Sequence, residues 1–259
     1  MLLLGPLAAR NISAPTIRIY ICDKNRRPMG GGFVVLFLQR QHRLFHTSFD
    51  YEVVTMEQFE NQVLLRGTMQ NLPQFSHENH GRKFYRFYLE VPRLSGTVDT
   101  LPIIAELGVL QTLDLSGGGS IRVEGQIRSH NLSDETGRHL LVFVFASLLV
   151  AEDGPAINEV RVTGSICKTP NYRRTPLGRE ICDVMLAVPR AFKRADYLPC
   201  ILWGRTAQEG ARCVIRDQLH IYGRLQSRLY TKYLDDGPQE RTAYEISALT
   251  AEQVNDPAE

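Results

Sequence analysis

The chain of 259 residues is long enough for one large domain or two of ordinary size, and its 43% apolar content is that of a folded globular protein. Formal net charge is only +2, yet residues 158–250 balance to +5 while residues 56–153 balance to −4, so a polyanion would prefer the later segment. No apolar run approaches the ~20 residues of a membrane-crossing helix, and the five cysteines, Cys22, Cys167, Cys182, Cys200 and Cys213, form no CxxC pair; the pattern argues against a disulfide frame or zinc site and for reduced core thiols in a cytoplasmic protein.

The opening "MLLLGPLAAR" is apolar but short and lacks a basic leader, so it is not read as a signal peptide. The rest of 1–55 has neither a clear helical period nor a strand series, and this segment is expected to be an extension outside the folded part.

From Asn61 onward the chain repeats itself. At an offset of 97, residues 61–103 align without a gap on 158–200, with 13 identities in 43 positions. Ordinary residue frequencies would give roughly two or three. The polar identities include Asn61 with Asn158, Arg93 with Arg190 and Asp99 with Asp196; one inserted residue later, "VEGQIRS" (123–129) meets "IYGRLQS" (221–227). The chain therefore divides into a first copy (56–150), a polar linker "AEDGPAI" (151–157), a second copy (158–250) and a short acidic tail (251–259).

Each copy reads as five strands with a short helix between the third and fourth. In the first copy "NQVLLRGT" opens the series, "AELGVLQTL" is the helix and "SGGGS" precedes the fourth strand. In the second, "NEVRVTGSICK" alternates, "REICDVMLAVP" alternates again, and "YLPCILW" is a short apolar run. "TAQEGARC" is the helical insert, "QLHIYGRLQSRLY" is a long strand interrupted by Gly223, and "RTAYEISAL" closes the set. This order predicts an all-β chain of two tandem OB folds, small five-stranded Greek-key barrels, with Gly223 at a bulge or corner.

The second copy resembles the bacterial single-stranded DNA-binding protein (SSB) family through "NEVRVTGSI", "RRTPLGRE", "LAVPRAF", "LPCILWGRTAQ" and "YGRLQSRLY". The first copy is similar at a lower level, through "NQVLLRGT", "LEVPR" and "VEGQIRS". The resemblance implies sequence-tolerant binding of single-stranded DNA in replication, recombination and repair. It places base-stacking rings at Phe192, Tyr197, Trp203 and Tyr230. Interleaved with these rings are Arg173, Arg174, Arg190, Lys193, Arg194, Arg205, Arg224, Arg228 and Lys232. Cations track phosphates while ring faces accept any base, which is the combination single strands require.

The residues themselves are compatible with this. Tyr197 and Trp203 are six apart, so a regular strand puts both on one face and leaves Leu198, Cys200 and Leu202 on the other. Ile201 falls on the ring face although it is apolar, so alternation alone leaves open whether the rings are displayed or fill the barrel.

The first copy lacks the platform. At the positions of Phe192, Tyr197, Trp203 and Tyr230 it has Ser95, Thr100, Glu106 and Leu132. It is expected to bind strands weakly and to serve assembly or a protein partner, and the crowding of Phe84, Tyr85, Phe87 and Tyr88 on one strand suits a subunit contact. Two-fold members of the family dimerise, which implies a homodimer here. The family's acidic tip ending in Pro-Phe is not matched by "TAEQVNDPAE". "EQFENQVLLRGT" after Met56 looks like a family amino terminus, which makes Met56 the expected start; the rival reading of 1–55 is a basic arm using Arg26, Arg27, Arg40 and Arg43.

No P-loop follows either "GGG", and His77 with His80 lacks further ligands, so neither a nucleotide nor a metal cofactor is expected. No nucleophile and base can be paired by spacing, so no catalysis is expected. Two other readings remain: a primosome-type adaptor in which the first barrel docks a replication or repair protein, and RNA binding on the same surface.

Overall fold

The computed structural model describes residues 60–113, 119–134, 137–234 and 237–254. The expected 1–55 extension, Cys22 and the last five residues of the acidic tail lie outside the described residues.

Alternation of apolar residues on nine- to eleven-residue strands builds two barrels of the same plan. The first comprises β1 (Asn61–Met69), β2 (Gln74–Asn79), β3 (Arg82–Pro92), β4 (Val98–Glu106), α1 (Leu107–Leu110), β5 (Ser120–Asp134) and β6 (Gly137–Ala151). The second comprises β7 (Ile157–Ile166), β8 (Asn171–Arg174), β9 (Glu180–Arg190), β10 (Arg194–Trp203), α2 (Arg205–Gly210), β11 (Gln218–Leu234) and β12 (Gly237–Val254). Strands run β3-β4-β6-β5-β1 and return to β3 through Thr68 opposite Glu90; the second barrel closes in the same way through Ser165 opposite Ala187. The parallel pairings β4–β6 and β10–β12 give each barrel its Greek-key closure.

Each copy holds six strands rather than the expected five. The additional ones, β2 and β8, are short edge strands exposed along their whole length, so they carry no apolar alternation to be read. β11 and β12 also extend beyond the expected ends, pairing out to Leu234 with Gly237 as a long arm. The β5–β6 hairpin is the equivalent arm of the first barrel.

The expected bulge is present in both copies. Register shifts between Tyr222 and Gly223, and between Glu124 and Gly125. A Cβ on Gly223 would lie 2.3 Å from the Ser247 carbonyl oxygen, and one on Gly125 would lie 2.2 Å from that of Phe145, so only glycine allows the strands to approach this closely at the bend.

The cores follow the alternation. Leu65, Phe87, Leu89, Leu101, Ile103 and Val144 fill the first barrel, and Val160, Leu186, Leu198, Cys200, Leu202 and Leu225 fill the second. Of the cysteines described, Cys182 and Cys200 are buried and Cys167 and Cys213 half-buried, all as free thiols; burial pushes the Cys182 thiol up to about 11 and raises Cys200 as well.

The barrels are joined edge to edge. β1 pairs antiparallel with β7 from Asn61 opposite Val162 to Arg66 opposite Ile157, with Val63 opposite Val160. These last two are equivalent residues of the two copies, so exchanging the copies maps the seam onto itself, a quasi-two-fold relation. The linker is tied down beside it: Arg66 Nε donates to the Pro155 carbonyl at 2.7 Å, and Arg66 and Arg122 both pair with Glu152.

Candidate nucleic-acid interface

β10 settles which side its rings occupy. Its even-numbered residues Asp196, Leu198, Cys200 and Leu202 are buried within, and Tyr197 and Trp203 lie on the outer side. Tyr197 is 42% exposed, and the indole of Trp203 is half-buried. Ile201 shares their face and is buried there, because Asp183 on one flank and Ser247 on the other stand directly beside it. The indole N–H donates to Ser247 Oγ at 3.0 Å, which fixes the ring on the wall. Ser247 carries no periodic signal, and sequence reasoning missed it.

Cross-strand register extends the wall sideways. Arg224 stands opposite Ser247, Gln226 opposite Glu245, Arg228 opposite Ala243 and Tyr230 opposite Arg241, so these side chains share the outer face. Tyr230 is 38% exposed, four residues inside the end of β11, and the Arg228 guanidinium lies 5.9 Å from its ring centroid. Lys232 is half-buried two residues further along the arm. Phe192 is 89% exposed in the tight turn between β9 and β10, where it and Lys193 adopt left-handed φ values of 62° and 54°. That conformation is strained for a bulky residue and projects the ring away from the barrel. Lys193 and Arg194 are exposed beside it.

Most of the remaining cations have carboxylate partners. Arg173 Nε meets Asp183 at 2.7 Å, Arg174 meets Glu180 at 3.0 Å, Arg205 meets Glu209 at 3.0 Å and Arg228 meets Glu245 at 3.2 Å. The solvent-exposed pairs of Arg173, Arg174 and Arg205 contribute only ~0–1 kcal/mol, so a phosphate can displace the carboxylate; Arg228 is itself half exposed, but its partner Glu245 is buried. Arg190 differs, because its partner Asp196 is fully buried (0% exposed) in the junction with the first barrel. The structure thus places Arg190 in the scaffold as well as near the rings. The Nε of Arg224 is buried on the wall without a hydrogen-bond partner among the described residues.

The equivalent wall of the first barrel has a different chemistry. Glu106 stands where the second barrel has its indole, and Arg82 Nε donates to it at 2.7 Å; that hydrogen bond and the guanidinium charge hold the Glu106 carboxyl below the usual carboxylate range. Of the four crowded aromatics, Phe87 is core. Phe84 is also buried but on the outer side, covered by a stacked His77 at 4.8 Å and by Phe145 at 5.9 Å, so the chain itself occupies much of the face expected to make a subunit contact. Tyr85 and Tyr88 are half-buried. The arm of the second barrel passes close to this wall: burial pushes the Tyr244 phenol up to about 12, with Tyr88 of the first barrel near enough to add to the effect.

Two small Greek-key barrels, one with outward rings among cations, define an OB-fold protein of the kind that handles unpaired strands. The model of the Single-strand binding protein family matches residues 157–254, the second barrel. Single-stranded DNA-binding protein B of Bacillus subtilis (strain 168) is 38% identical over 80 residues, 28% of this chain and 71% of that protein. The single-stranded DNA-binding protein of Bacillus cereus is 31% identical over 105 residues, 38% of this chain and 58% of that protein. The wild-type single-stranded DNA binding protein from Thermus aquaticus superposes with a TM-score of 0.61 at 22% identity, covering 77% of this chain and 96% of its own, which is a likeness of fold. The chain belongs to the single-strand binding protein family.

Proposed function

We propose that this chain binds single-stranded DNA without reading its sequence, shielding unpaired strands during replication, recombination and repair. The second barrel does most of the binding. Bases stack on Phe192, Tyr197, Trp203 and Tyr230 while Arg173, Arg174, Lys193, Arg194, Arg205, Arg224, Arg228 and Lys232 meet phosphates. The observation that carries this reading is the division of β10, with Leu198, Cys200 and Leu202 inside and Tyr197 and Trp203 outside. A wall of flat rings with exchangeable ion partners suits a ligand whose phosphates replace carboxylates. Arg190 contributes by holding the junction rather than as a free phosphate contact, since its carboxylate partner cannot reach solvent.

The chain holds one tryptophan, so its emission reports on the platform alone. Adding oligo-dT is expected to quench it, and log affinity is expected to fall with log salt by ~0.7 per phosphate neutralised. Emission unchanged at saturating oligo-dT would overturn the reading. Stacking does not distinguish sugars, so poly-U competition measures the preference for DNA over RNA. The homodimer implied by the two-fold members is tested by sedimentation of the full chain.

The Glu106–Arg82 pair on the first wall favours a second reading for that barrel, as the docking site of a replication or repair protein in a primosome-type adaptor.

A further inference from the structure

The binding reading leaves the first barrel without a task in the same reaction, yet two polar identities of the repeat, Arg93 with Arg190 and Asp99 with Asp196, converge at the junction between barrels. Asp99 of β4 is fully buried (0% exposed) and faces Ser227 of β11. Ser227 is gripped at every polar atom it has. Its amide donates to Asp99 Oδ1 at 2.8 Å and its hydroxyl approaches the same oxygen at 3.3 Å. Its carbonyl accepts from Arg93 Nη2 at 3.2 Å, and the Thr100 amide donates to its Oγ at 3.2 Å. Arg93 Nε completes the set by donating to Asp99 Oδ2 at 2.7 Å. The reciprocal junction is present on the other side: the Ser129 amide donates to the buried Asp196 at 2.7 Å, and Ser129 Oγ accepts from the Tyr197 amide at 2.7 Å.

A carboxylate taken fully out of water is expensive and is held only by strong, well-aimed donors. The carboxylate–arginine pair here is spent on the edge of a neighbouring strand. Ser227 immediately precedes Arg228 and lies three residues before Tyr230, on the long arm that extends beyond its own barrel. The clamp lies at the root of that segment of the arm.

Resting on the binding function argued above, we propose that Asp99, Arg93 and Thr100 of the first barrel are positioning residues that clamp β11 at Ser227 and so aim the Arg228–Tyr230 end of the second barrel's platform. The first barrel then serves strand binding without touching the strand. An arm released from the clamp retains its ring and its cation but spreads them over many orientations, and ordering them on each binding event lowers affinity.

The test is a double-mutant cycle on the full chain, read as oligo-dT affinity by anisotropy. Tyr230→Ala alone is expected to weaken binding ~5-fold or more. Asp99→Asn alone is expected to weaken it by about 3- to 10-fold, the worth of a strong hydrogen bond. In the Asp99→Asn background, Tyr230→Ala is expected to cost less than about 2-fold, because the ring is already misplaced. Val123→Ala in the first core lowers stability without touching the clamp, and there Tyr230→Ala retains its full cost. Should Asp99→Asn fail to fold, Ser227→Ala removes only the hydroxyl contacts and enters the same cycle. Additive losses from Asp99→Asn and Tyr230→Ala would overturn the clamp and leave the platform standing. If neither Tyr230→Ala nor Trp203→Ala weakens binding, the platform reading falls, and the clamp with it.

Discussion

The two barrels share one plan and differ on one wall. Both keep the closing pairs, the glycine bulge, the core alternation and the asparagine that bridges to the fourth long strand: Asn61 spans the Ile127 backbone at 2.9 Å each way, and Asn158 spans that of Leu225 at 2.7 and 2.9 Å. On the outer wall, Trp203 with Ser247 in the second barrel corresponds to Glu106 with Phe145 in the first, as the β4–β6 and β10–β12 registers align them. What two copies must share in order to fold and to pair has been retained, and what only a ligand would require has diverged. The ring for carboxylate exchange leaves the barrel intact because it lies outside the core, where substitutions usually shift stability by less than ~0.5 kcal/mol.

The contrast is broken most directly at the indole. Trp203→Ala should weaken oligo-dT binding by roughly 5- to 150-fold, corresponding to the ~1–3 kcal/mol of one stacked base, with little change in folding stability. A variant that binds as tightly as the parent in the anisotropy titration would make the two walls equivalent. A smaller effect is expected from Ser247→Ala, which keeps the ring but removes its 3.0 Å anchor. The loss should be about 1 kcal/mol in affinity, accompanied by a red-shifted and more mobile tryptophan emission. The smallest effect belongs to the first barrel. Glu106→Ala frees Arg82 and removes a negative charge, yet should change affinity by less than about 2-fold, since the neighbouring Phe84 ring is buried beneath His77 and Phe145 and is not displayed to a base. A large gain there, measured by the same titration, would mean that the strand already lies on the first wall.

Much of this was legible before any coordinates. Alternation named Leu198, Cys200 and Leu202 as core and left Tyr197 and Trp203 opposite them, and Gly223 marked its bulge. The edge strands β2 and β8 were illegible because a strand exposed on both faces has no apolar period. The pairing of Arg173, Arg174, Arg205 and Arg228 was hidden for a different reason. Their carboxylates sit on neighbouring strands or one helical turn away, and charge counts record numbers rather than partners. The scaffold contact of Arg190 was hidden for a related reason, because Asp196, its partner, is also held by Arg128 and Ser129 of the other copy.

The repeat and the alternation of the long strands were determined by the sequence alone, because both are local properties of residue order and period, although Ile201 left open which side of β10 faces outward. The loss of the rings from the first copy was equally visible there. Which edges meet was decided only in three dimensions. The β1–β7 seam, the burial of Asp99 and Asp196, and the grip on Ser227 each join groups some 67 to 128 residues apart, or a full repeat apart, and no short-range pattern specifies a contact at that distance.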